Sequence, residues 1–543
     1  MTETTDKTIQ APEYAETERV DGRTVFTVPA ERLHDAARYL RDVAGCDFLI
    51  DIVGMDWGDS LGAFYHMSPT DRPAEVITLK TATADRETPH LESVCDIWEV
   101  AQTYEREVHD FFGIVFTGNP DMRRLFLRES WQGYPLRKDY NADPALNPLH
   151  KESEPLSDMD VVPYFTLEDG RLVGHMRQMY EEDEYIVNFG PQHPAMHGVL
   201  HLRVSLDGEV IRSVDPNLGY IHRGIEKMCE SYAYPQILHL TERLDYLSGN
   251  INRHAFCLCC EKALQIEAPQ RAVYVRTIMD ELTRIASHLL GWGSMCMDMG
   301  SITAFVYGMR DREKVMDIFE DTAGGRLMTS YYTIGGLASD IHPDFCRKVK
   351  EFIPYMRKML REHHMLFTGN PIAAGRMKKT GRLTLDDAIS LGATGPSGRA
   401  SGWSNDIRKI APYAAYDKVD FEVPMRTGGD TFDRYMVRLD EIEQSLRIIE
   451  QLINNIPEGP YAEKMRPIIK LPEGEYFQRV ENARGQFGVH ISSRGDKTPY
   501  RVKFRSPCLP LVGALKHITP GSKVADLIMI GGSLDYVIPC MDR

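Results

Sequence analysis

The sequence lacks several features that would point directly to a class of function. It contains no run of roughly 18 apolar residues, so no segment is predicted to span a membrane. Its 63 lysines and arginines are outnumbered by 79 aspartates and glutamates, and the formal net charge of −16 argues against broad nucleic-acid binding. The opening stretch, MTETTDKTIQAPEY, lacks the apolar region of a secretory signal. We therefore expect a cytoplasmic chain that reaches a membrane only through partner subunits.

Paired cysteines are also scarce. Of the 10 cysteines, only Cys257 and Cys260 have CxxC spacing, and they lie in NRHAFCLCCEKAL (252–264), which is predicted to be helical. No second pair completes the four thiolates of an iron–sulfur cluster. We interpret these thiols as small buried apolar groups in a reducing compartment.

Two further stretches could suggest phosphate binding, but neither carries the required pattern. GATGPSGRASG (392–402) matches neither the P-loop nor the dinucleotide motif, so we expect a loop that needs positive φ. A basic run could face a phosphate-bearing partner, but ion pairs at a protein interface are favoured. This run comprises Arg123, Arg124, Arg128, Arg137 and Lys138.

The chain is long enough, at 543 residues, to bury several cores, and 43% hydrophobic residues are typical of globular proteins. We expect a disordered N-terminus over 1–20 and an α+β domain over 21–145. NADPALNP and ESEPLSDMD indicate a linker over 146–182. The domain over 183–543 opens with strands, continues mostly as helices and returns to strands near its end. The predicted fold class is therefore α+β.

Three long helices are predicted from apolar periodicity. The first covers 91–113 and ends at a glycine, and the third covers 433–456. The second begins near Pro269, a residue suited to a first helical turn. It carries an apolar row that predicts a buried seam: Ile278, Leu282, Ile285, Leu289, Trp292, Cys296 and Met299.

GPQHPAMHG (190–198) places His193 and His197 four residues apart. Alternating apolar residues before and after this stretch predict two strands, and Asp207-Gly208 predicts a hairpin turn after the second. The two histidines could be half of a metal site, a catalytic pair or part of a tight turn. Too few further ligands lie nearby for zinc, so a turn with hydrogen-bonded imidazoles is the simplest interpretation.

Several long motifs resemble one family in order and spacing. They look like the D-type subunit of respiratory complex I, a relative of the large subunit of nickel–iron hydrogenases. A further stretch, 104–140, looks like the C-type subunit of the same complex, so the chain resembles a fused C–D subunit. The D-type motifs are GPQHPAMHGVL (190–200), LGYIHRGIEK (218–227), TERLDYL (241–247), DELTRIASHLLGWG (280–293) and GDTFDRYMVRLDEIEQSL (429–446).

The resemblance implies a small α+β N-terminal domain and a hydrogenase-large-subunit-like domain with a central helical bundle and flanking strands. Hydrogenases hold nickel and iron through two CxxC pairs. TERLDYL has no cysteine, and SLDYVIPCMDR (533–543) has only Cys540. We therefore expect no metal or cluster in this chain, and a quinone headgroup in the vacated cavity.

The resemblance also assigns roles to individual residues. It implies that His197 and Tyr246 bind the quinone headgroup and that Asp298 is the partner of His197, while His193 shapes the turn. Arg243 is expected to face an iron–sulfur cluster of a neighbouring subunit. Two alternatives stay open: Tyr246 could be a core tyrosine, and Asp298 could cap a helix end.

The family carries electrons from a neighbouring subunit's [4Fe–4S] cluster to quinone and couples this to proton pumping. The implied partners are the terminal-cluster iron–sulfur subunit, the ferredoxin-like iron–sulfur subunit and the membrane subunit that forms the quinone channel. The implied location is the cytoplasmic face of the bacterial inner membrane. NADH is the usual donor. A ferredoxin-linked or membrane-bound-hydrogenase-related complex is the alternative, and a purely structural scaffold is a third possibility.

Four positions depart from the residues usual in the family. Met196 replaces a threonine beside His197, and Met328 replaces a histidine thought to couple cluster reduction to protonation. Thr333 replaces an arginine, and Gln486 replaces a glutamate. The sequence does not identify which quinone is used.

Overall fold

The computed structural model describes residues 11–148, 160–181, 183–193 and 198–543. It divides into two compact units, with the boundary between residues 182 and 183. Both units combine helices and sheets, which agrees with the predicted α+β class. Within the described residues, no helix is long and apolar enough to cross a membrane.

The first unit is built on a five-stranded sheet with the order β1-β2-β5-β4-β3. The strands are β1 (Glu16–Val20), β2 (Arg23–Pro29), β3 (Phe48–Asp56), β4 (Leu61–Ser68) and β5 (Ile77–Thr83). Helices α1 (Leu33–Asp42) and α2 (Ala101–Phe112) accompany it. β3 and β4 are buried along their whole length. A Cβ at Gly54 would lie 2.6 Å from the Phe112 ring, so this glycine lets α2 pack closely on β3.

The expected disorder over 1–20 is wrong at its C-terminal end. Residues 16–20 form β1, which pairs antiparallel with β2. The connecting residues Asp21 and Gly22 both have positive φ, 53° and 76°, as a two-residue hairpin turn requires. The strand is mostly exposed, so its polar sequence carries no burial signal. Residues 1–10 lie outside the described part.

The helix predicted over 91–113 starts later than expected, at Ala101. The residues before it include β6 (His90–Glu92), which pairs in parallel with β7 (Val115–Thr117). The buried Glu105 carboxylate explains the difference. It accepts hydrogen bonds from the Ser93 hydroxyl at 2.6 Å and the Val94 N–H at 2.8 Å, and these contacts favour a turn. The helix ends at Gly113, as predicted, with φ of 71°.

The stretch predicted as a linker contains a β hairpin. β8 (Val161–Glu168) pairs antiparallel with β9 (Arg171–Gln178) around Asp169 and Gly170. The N–H of Gly118 donates to Phe165 O at 3.0 Å, so the hairpin adds to the first unit. The polar residues around it concealed this pairing. Residues 149–159 and 182 lie outside the described part.

Three arginines of the basic run bind groups inside the first unit, and the expected interface role of the run stays a prediction. Arg124 Nη1 lies 3.0 Å from Asp110 Oδ1, and Arg123 Nη2 lies 2.7 Å from Asp121 Oδ2. Arg137 donates to Arg86 O at 3.1 Å. These guanidiniums therefore fix the loops after α2 by neutralising buried carboxylates and binding carbonyls.

The second unit contains two three-stranded antiparallel sheets and many helices. The strands are β10 (Tyr185–Phe189), β11 (His201–Asp207), β12 (Val210–Asn217), β13 (Tyr332–Thr333), β14 (Gly336–Leu337), β15 (Gly474–Asn482), β16 (Gly485–Ser493) and β17 (Arg501–Arg505). The first helices are α3 (Ile225–Cys229), α4 (Tyr234–Thr241), α5 (Gly249–Leu264), α6 (Gln270–Asp298), α7 (Ile302–Ala323) and α8 (Phe345–His363). The remaining helices are α9 (Pro371–Met377), α10 (Leu385–Ser390), α11 (Gly395–Ala400), α12 (Ile407–Ile410), α13 (Thr431–Ile453), α14 (Cys508–Gly513), α15 (Leu515–Ile518), α16 (Val524–Leu534) and α17 (Ile538–Asp542).

Helix α6 is the central element of the second unit and packs against α7 and α13. It begins directly after Pro269, as predicted, and its apolar row is buried from Ile278 to Cys296. Met299, the last residue of the predicted row, is half-buried and lies directly after the helix ends at Asp298. Helix α13 starts two residues before the predicted 433, because Asp430 caps it by accepting a hydrogen bond from the Asp433 N–H at 2.9 Å. β11 and β12 form the predicted hairpin at Asp207-Gly208, with Gly208 and Glu209 as the two connecting residues.

The cysteine prediction agrees with the structure, whereas the loop predicted over 392–402 is wrong in part, because Gly395–Ala400 forms helix α11. The predicted positive φ is found at three of its glycines. Cys257, Cys259 and Cys260 lie on α5 and are fully buried, and all ten cysteines are free. In the stretch 392–402, Gly392, Gly395 and Gly402 have positive φ. A Cβ at Gly395 would lie 2.4 Å from Arg484 O, so this glycine also permits a close backbone contact with the β15–β16 turn.

Candidate functional site

The GPQHPAMHG loop connects β10 to β11, as predicted. Gly190 has φ of 82°, and a Cβ there would lie 2.0 Å from Leu200 O, so only glycine fits. His193 forms a bridge with Gly198 across the loop, which fits its expected role in shaping the turn. A Cβ at Gly198 would lie 2.7 Å from Ile538 Cγ1, so the loop ends against α17. Residues 194–197, including His197 and Met196, lie outside the described part.

Tyr246 lies in the turn between α4 and α5 and is half-buried. Its hydroxyl makes no hydrogen bond to any group in the described ranges. Burial raises the pKa of this hydroxyl, although the nearby Arg484 opposes the shift. Arg312 of α7 is a second nearby cation, and within the same ranges its Nε has no acceptor. The tyrosine is therefore a protonated donor, with the guanidiniums of Arg484 and Arg312 and the carboxylates of Asp245 and Asp535 around it.

Arg484, in the β15–β16 turn, is fully buried beside Tyr246. Its Nη1 lies 3.0 Å from Asp245 Oδ2 and donates to Ser287 Oγ at 2.9 Å. Its Nε donates to Asp535 O at 2.8 Å. Burial alone would lower the pKa of Arg484, but the carboxylates of Asp245 and Asp535 outweigh it and raise the pKa. The guanidinium therefore joins four separate segments of chain.

The segment that follows α16 contacts several parts of this site. Asp535 has φ of 58°, and its carboxylate lies 3.4 Å from Arg484 Nη2 and 3.7 Å from Arg438 Nε. A Cβ at Gly291 would lie 2.9 Å from Asp535 Oδ1, so a larger residue on α6 would displace this carboxylate. We call Asp245, Arg438, Arg484 and Asp535 the Arg484 group. It contains two cations and two carboxylates.

Asp298 is the last residue of α6 and is partly exposed. Burial raises the pKa of Tyr536, and the Asp298 carboxylate raises it further. Asp298 therefore faces the segment that carries Asp535 and Ile538, close to the end of the GPQHPAMHG loop. Its pairing with His197 stays a prediction.

Arg243 is exposed, and its Nη1 donates to His239 O at 2.6 Å. The His239 ring lies 3.2 Å from Ser330 Oγ, and that hydroxyl donates to Glu242 at 3.1 Å. These contacts join α4 to the segment that contains Met328. Arg243 therefore lies on a polar surface, and its role toward a partner's cluster stays a prediction.

The sequence did not predict the Arg484 group or Arg312. Asp245 and Arg484 are separated by 239 residues, and no local pattern reports such a pairing. Asp245 was visible as a charged residue within TERLDYL, directly before Tyr246. Its burial at 0% exposure identifies it as one partner of an ion pair.

Comparison with known proteins matches the two units to two different family models. The family model "Respiratory-chain NADH dehydrogenase, 30 Kd subunit" matches residues 26–145. The model "Respiratory-chain NADH dehydrogenase, 49 Kd subunit" matches residues 298–470 and 463–543. The C/D subunit of the NADH-quinone oxidoreductase of Phocaeicola vulgatus is 57% identical over 518 residues, covering 95% of this chain and 99% of the relative. The chain belongs to the family of fused C/D subunits of complex I.

More distant relatives support the same division of this C/D chain. The C/D subunit of the NADH-quinone oxidoreductase of Nitrosospira multiformis is 35% identical over 556 residues, which cover 95% of this chain and 90% of the relative. The D-type subunit of the enzyme of Desulforamulus reducens is 44% identical over 360 residues, or 66% of this chain and 98% of the relative. The resemblance drawn from the motifs is confirmed. Within the described residues, no group of three or more His, Cys, Asp or Glu side chains could hold a metal ion.

Proposed function

We propose that this chain is the peripheral-arm subunit of a proton-pumping NADH:quinone oxidoreductase in which the quinone headgroup is reduced. Its second unit forms the headgroup site beside Tyr246. The observation that carries the proposal is the half-buried Tyr246 hydroxyl, which has no acceptor in the described ranges and lies next to Arg484. The names of the relatives favour NADH as the donor over the ferredoxin-linked alternative.

Quinone reduction consumes two electrons and two protons and creates negative charge on the carbonyl oxygens. The Tyr246 hydroxyl donates a hydrogen bond to one carbonyl and, because burial raises its pKa, it stays protonated until the reduced ring takes the proton. The cations of Arg484 and Arg312 favour the negative charge as it develops. In this proposal His197 binds the second carbonyl, and the Asp298 carboxylate fixes its tautomer and favours its protonated form.

Electrons reach the site from a [4Fe–4S] cluster of the terminal-cluster iron–sulfur subunit. We assign Arg243 to the surface that faces that subunit, because it is exposed and held in place by α4. A cation there stabilises the more negative, reduced cluster. The ferredoxin-like iron–sulfur subunit and the membrane subunit of the quinone channel are the other partners. The chain is peripheral, on the cytoplasmic face of the inner membrane.

Photolabelling of the purified complex with a photoreactive quinone tests this site. We expect two labelled peptides in this chain, one containing Tyr246 and one containing residues 535–538, because these segments lie on either side of Arg484. Excess unlabelled quinone should suppress both labels. A photoreactive compound of the same tail without the quinone ring is the matched control and should not label them. Labels confined to other subunits or to the first unit would contradict the proposal.

A further inference from the structure

A second group of buried charges lies in the core of the second unit, between α6, α11, α12, α13 and β15. It contains four carboxyl groups, three guanidiniums and one imidazole, all at 0% exposure. We call it the core charge cluster. Its members are Glu281, Arg284, His288, Arg399, Asp406, Arg408, Glu441 and Glu481.

Arg399 connects two carboxyl groups at one end of this cluster. Its Nη1 lies 2.8 Å from Glu481 Oε1, and its Nη2 pairs with Glu441. The second oxygen of Glu441 lies 2.7 Å from His288 Nε2, and the second oxygen of Glu481 accepts from the Ile407 N–H at 3.1 Å. A proton at this end therefore has two possible positions, His288 and Glu481, on either side of one guanidinium.

Glu281 occupies the other end and is fully neutralised. Arg408 and Arg284 lie 3.1 Å and 3.3 Å from its carboxylate, and the Tyr416 and Ser445 hydroxyls each donate to it at 2.6 Å. Arg408 also pairs with Asp406, at 2.7 Å. These short contacts leave no place for a proton on Glu281.

The charges of the cluster do not balance unless it holds one proton. Four carboxylates face three guanidiniums in the cluster, and Arg438 lies between it and the Arg484 group, because it faces both Glu441 and Asp535. The two groups together contain six carboxylates and five guanidiniums, so without a bound proton they carry a net charge of −1. Burying an uncompensated charge is costly, and such groups normally take up a proton. In the Arg484 group, Asp245 and Asp535 both pair with Arg484, which favours their charged forms. The proton therefore belongs to the core charge cluster.

Unused polar atoms lie at this end of the cluster. Gln486 is directly opposite Glu481 in the pairing of β15 with β16, and it is fully buried. Neither polar atom of its side chain has a hydrogen-bond partner in the described ranges, and His288 Nδ1 also has none there. Burial raises the pKa of Glu481 and lowers that of His288, although Arg399 opposes the first shift and Glu441 the second. Both directions favour a protonated Glu481.

A continuous line of charges connects the cluster to Tyr246. Arg438 lies on α13 one turn before Glu441, and it faces Asp535 at 3.7 Å. Asp535 pairs with Arg484, which pairs with Asp245 next to Tyr246. Ser287, whose hydroxyl accepts from Arg484, directly precedes His288 on α6. A charge change at either end is therefore felt at the other.

We propose that the core charge cluster is a one-proton site whose occupancy controls how well the Tyr246 site accepts negative charge. This inference rests on the proposed quinone site. With the proton bound, the cluster is neutral and the Arg484 group is free to stabilise the reduced headgroup. Once the proton is lost, the cluster carries −1 and opposes that charge. By linkage, reduction of the headgroup strengthens proton binding in the cluster.

The sign of the pH dependence follows from the groups that face Glu481. Because Glu481 is an acid with a raised pKa, it is protonated at lower pH and loses its proton as the pH rises. The rate of quinone reduction should therefore decrease as the pH rises and Glu481 loses its proton. The charged or titratable groups that face Glu481 or adjoin it through Arg399 or Tyr413 are Arg284, Arg399, Arg408, Asp406, Glu441, His288, Tyr413 and, beyond Tyr413, His254 and Asp280.

The test compares the assembled complex with Glu481→Gln and with Glu475→Gln. Glu475 lies on the same strand but outside the cluster, where it pairs with His490. We expect the infrared carbonyl absorption of a buried carboxylic acid in wild type and in Glu475→Gln, and its loss in Glu481→Gln. We also expect quinone reduction by Glu481→Gln to lose its decrease at alkaline pH. The ratio of the rate at alkaline pH to the rate at neutral pH should be about fivefold higher in this variant than in wild type.

Two results would overturn the inference. The first is an acid absorption that persists in Glu481→Gln. The second is its loss with no change in the pH profile, which would mean a proton that is not coupled to the site. If the proposed quinone site is wrong, the photoreactive quinone will not label the peptide that contains Tyr246. The infrared absorption of Glu481 does not depend on that result, so the two failures can be distinguished.

A second variant tests the inference if the complex with Glu481→Gln does not assemble. Gln486→Glu keeps all existing contacts of the cluster and adds a carboxyl group opposite Glu481. We expect a second acid absorption and a steeper alkaline fall, the opposite of the effect of Glu481→Gln. An unchanged spectrum and pH profile would count against the inference.

Discussion

Replacing Tyr246 by phenylalanine is expected to lower donor-driven quinone reduction about 100-fold, the low end of what a positioned proton donor contributes. The change removes one hydroxyl and keeps the half-buried ring. Since that hydroxyl has no acceptor in the described ranges, its loss leaves no protein group unpaired. The complex should therefore assemble normally, and its iron–sulfur clusters should still be reduced by the donor.

Tyr355→Phe is the matched control for this experiment. Tyr355 is a half-buried tyrosine on α8, and its hydroxyl donates to Asp311 at 2.7 Å. We expect this variant to reduce quinone at close to the wild-type rate. Unchanged activity in Tyr246→Phe, or an equal loss in both variants, would remove Tyr246 from the headgroup site.

Replacing Arg484 by methionine should have the largest effect on both stability and activity. The guanidinium neutralises Asp245 and Asp535 and joins four segments around Tyr246. Its removal leaves buried carboxylates without a cation, which costs about 3–5 kcal/mol in the free energy of unfolding. We expect a lower unfolding midpoint for the second unit and almost no quinone reduction in whatever complex assembles.

Two further variants separate charge from geometry. Arg484→Lys keeps the cation but cannot reach Asp245 and the Asp535 carbonyl together, so it should recover part of the stability and little of the activity. Arg347→Met removes an exposed arginine that pairs with Asp344 and Glu351. It should change neither property measurably, because exposed ion pairs contribute little. A stable Arg484→Met protein would show that the buried carboxylates do not need this cation.

Local patterns in the sequence were sufficient to predict the elements whose boundaries depend on neighbouring residues. Pro269 and the apolar row after it predicted α6, and Asp207-Gly208 predicted the β11–β12 turn. The start of α2 was placed incorrectly because Glu105 binds the segment around Ser93, a contact made by tertiary structure. β1 was missed because it is largely polar, and β8 because polar stretches flank it; both are held by backbone pairing.

The candidate site was predictable only in part and for a similar reason. Tyr246 and Asp298 came from a resemblance between motifs, and the structure places both near the segment that follows α16. The residues that complete the site, Arg484 and Asp535, pair across 51 and more residues. A buried ion pair leaves no periodic signal in the sequence, because each member is one charged residue among many. Folding was needed to bring them together.

A structure of the assembled complex with bound quinone tests the central claim most directly. The account predicts a headgroup carbonyl oxygen at hydrogen-bonding distance, about 2.7 Å, from the Tyr246 hydroxyl, with Arg484 still paired to Asp245 behind it. It also predicts that His197 reaches the opposite carbonyl. A headgroup bound elsewhere, with the Tyr246 hydroxyl still without a partner, would contradict the account.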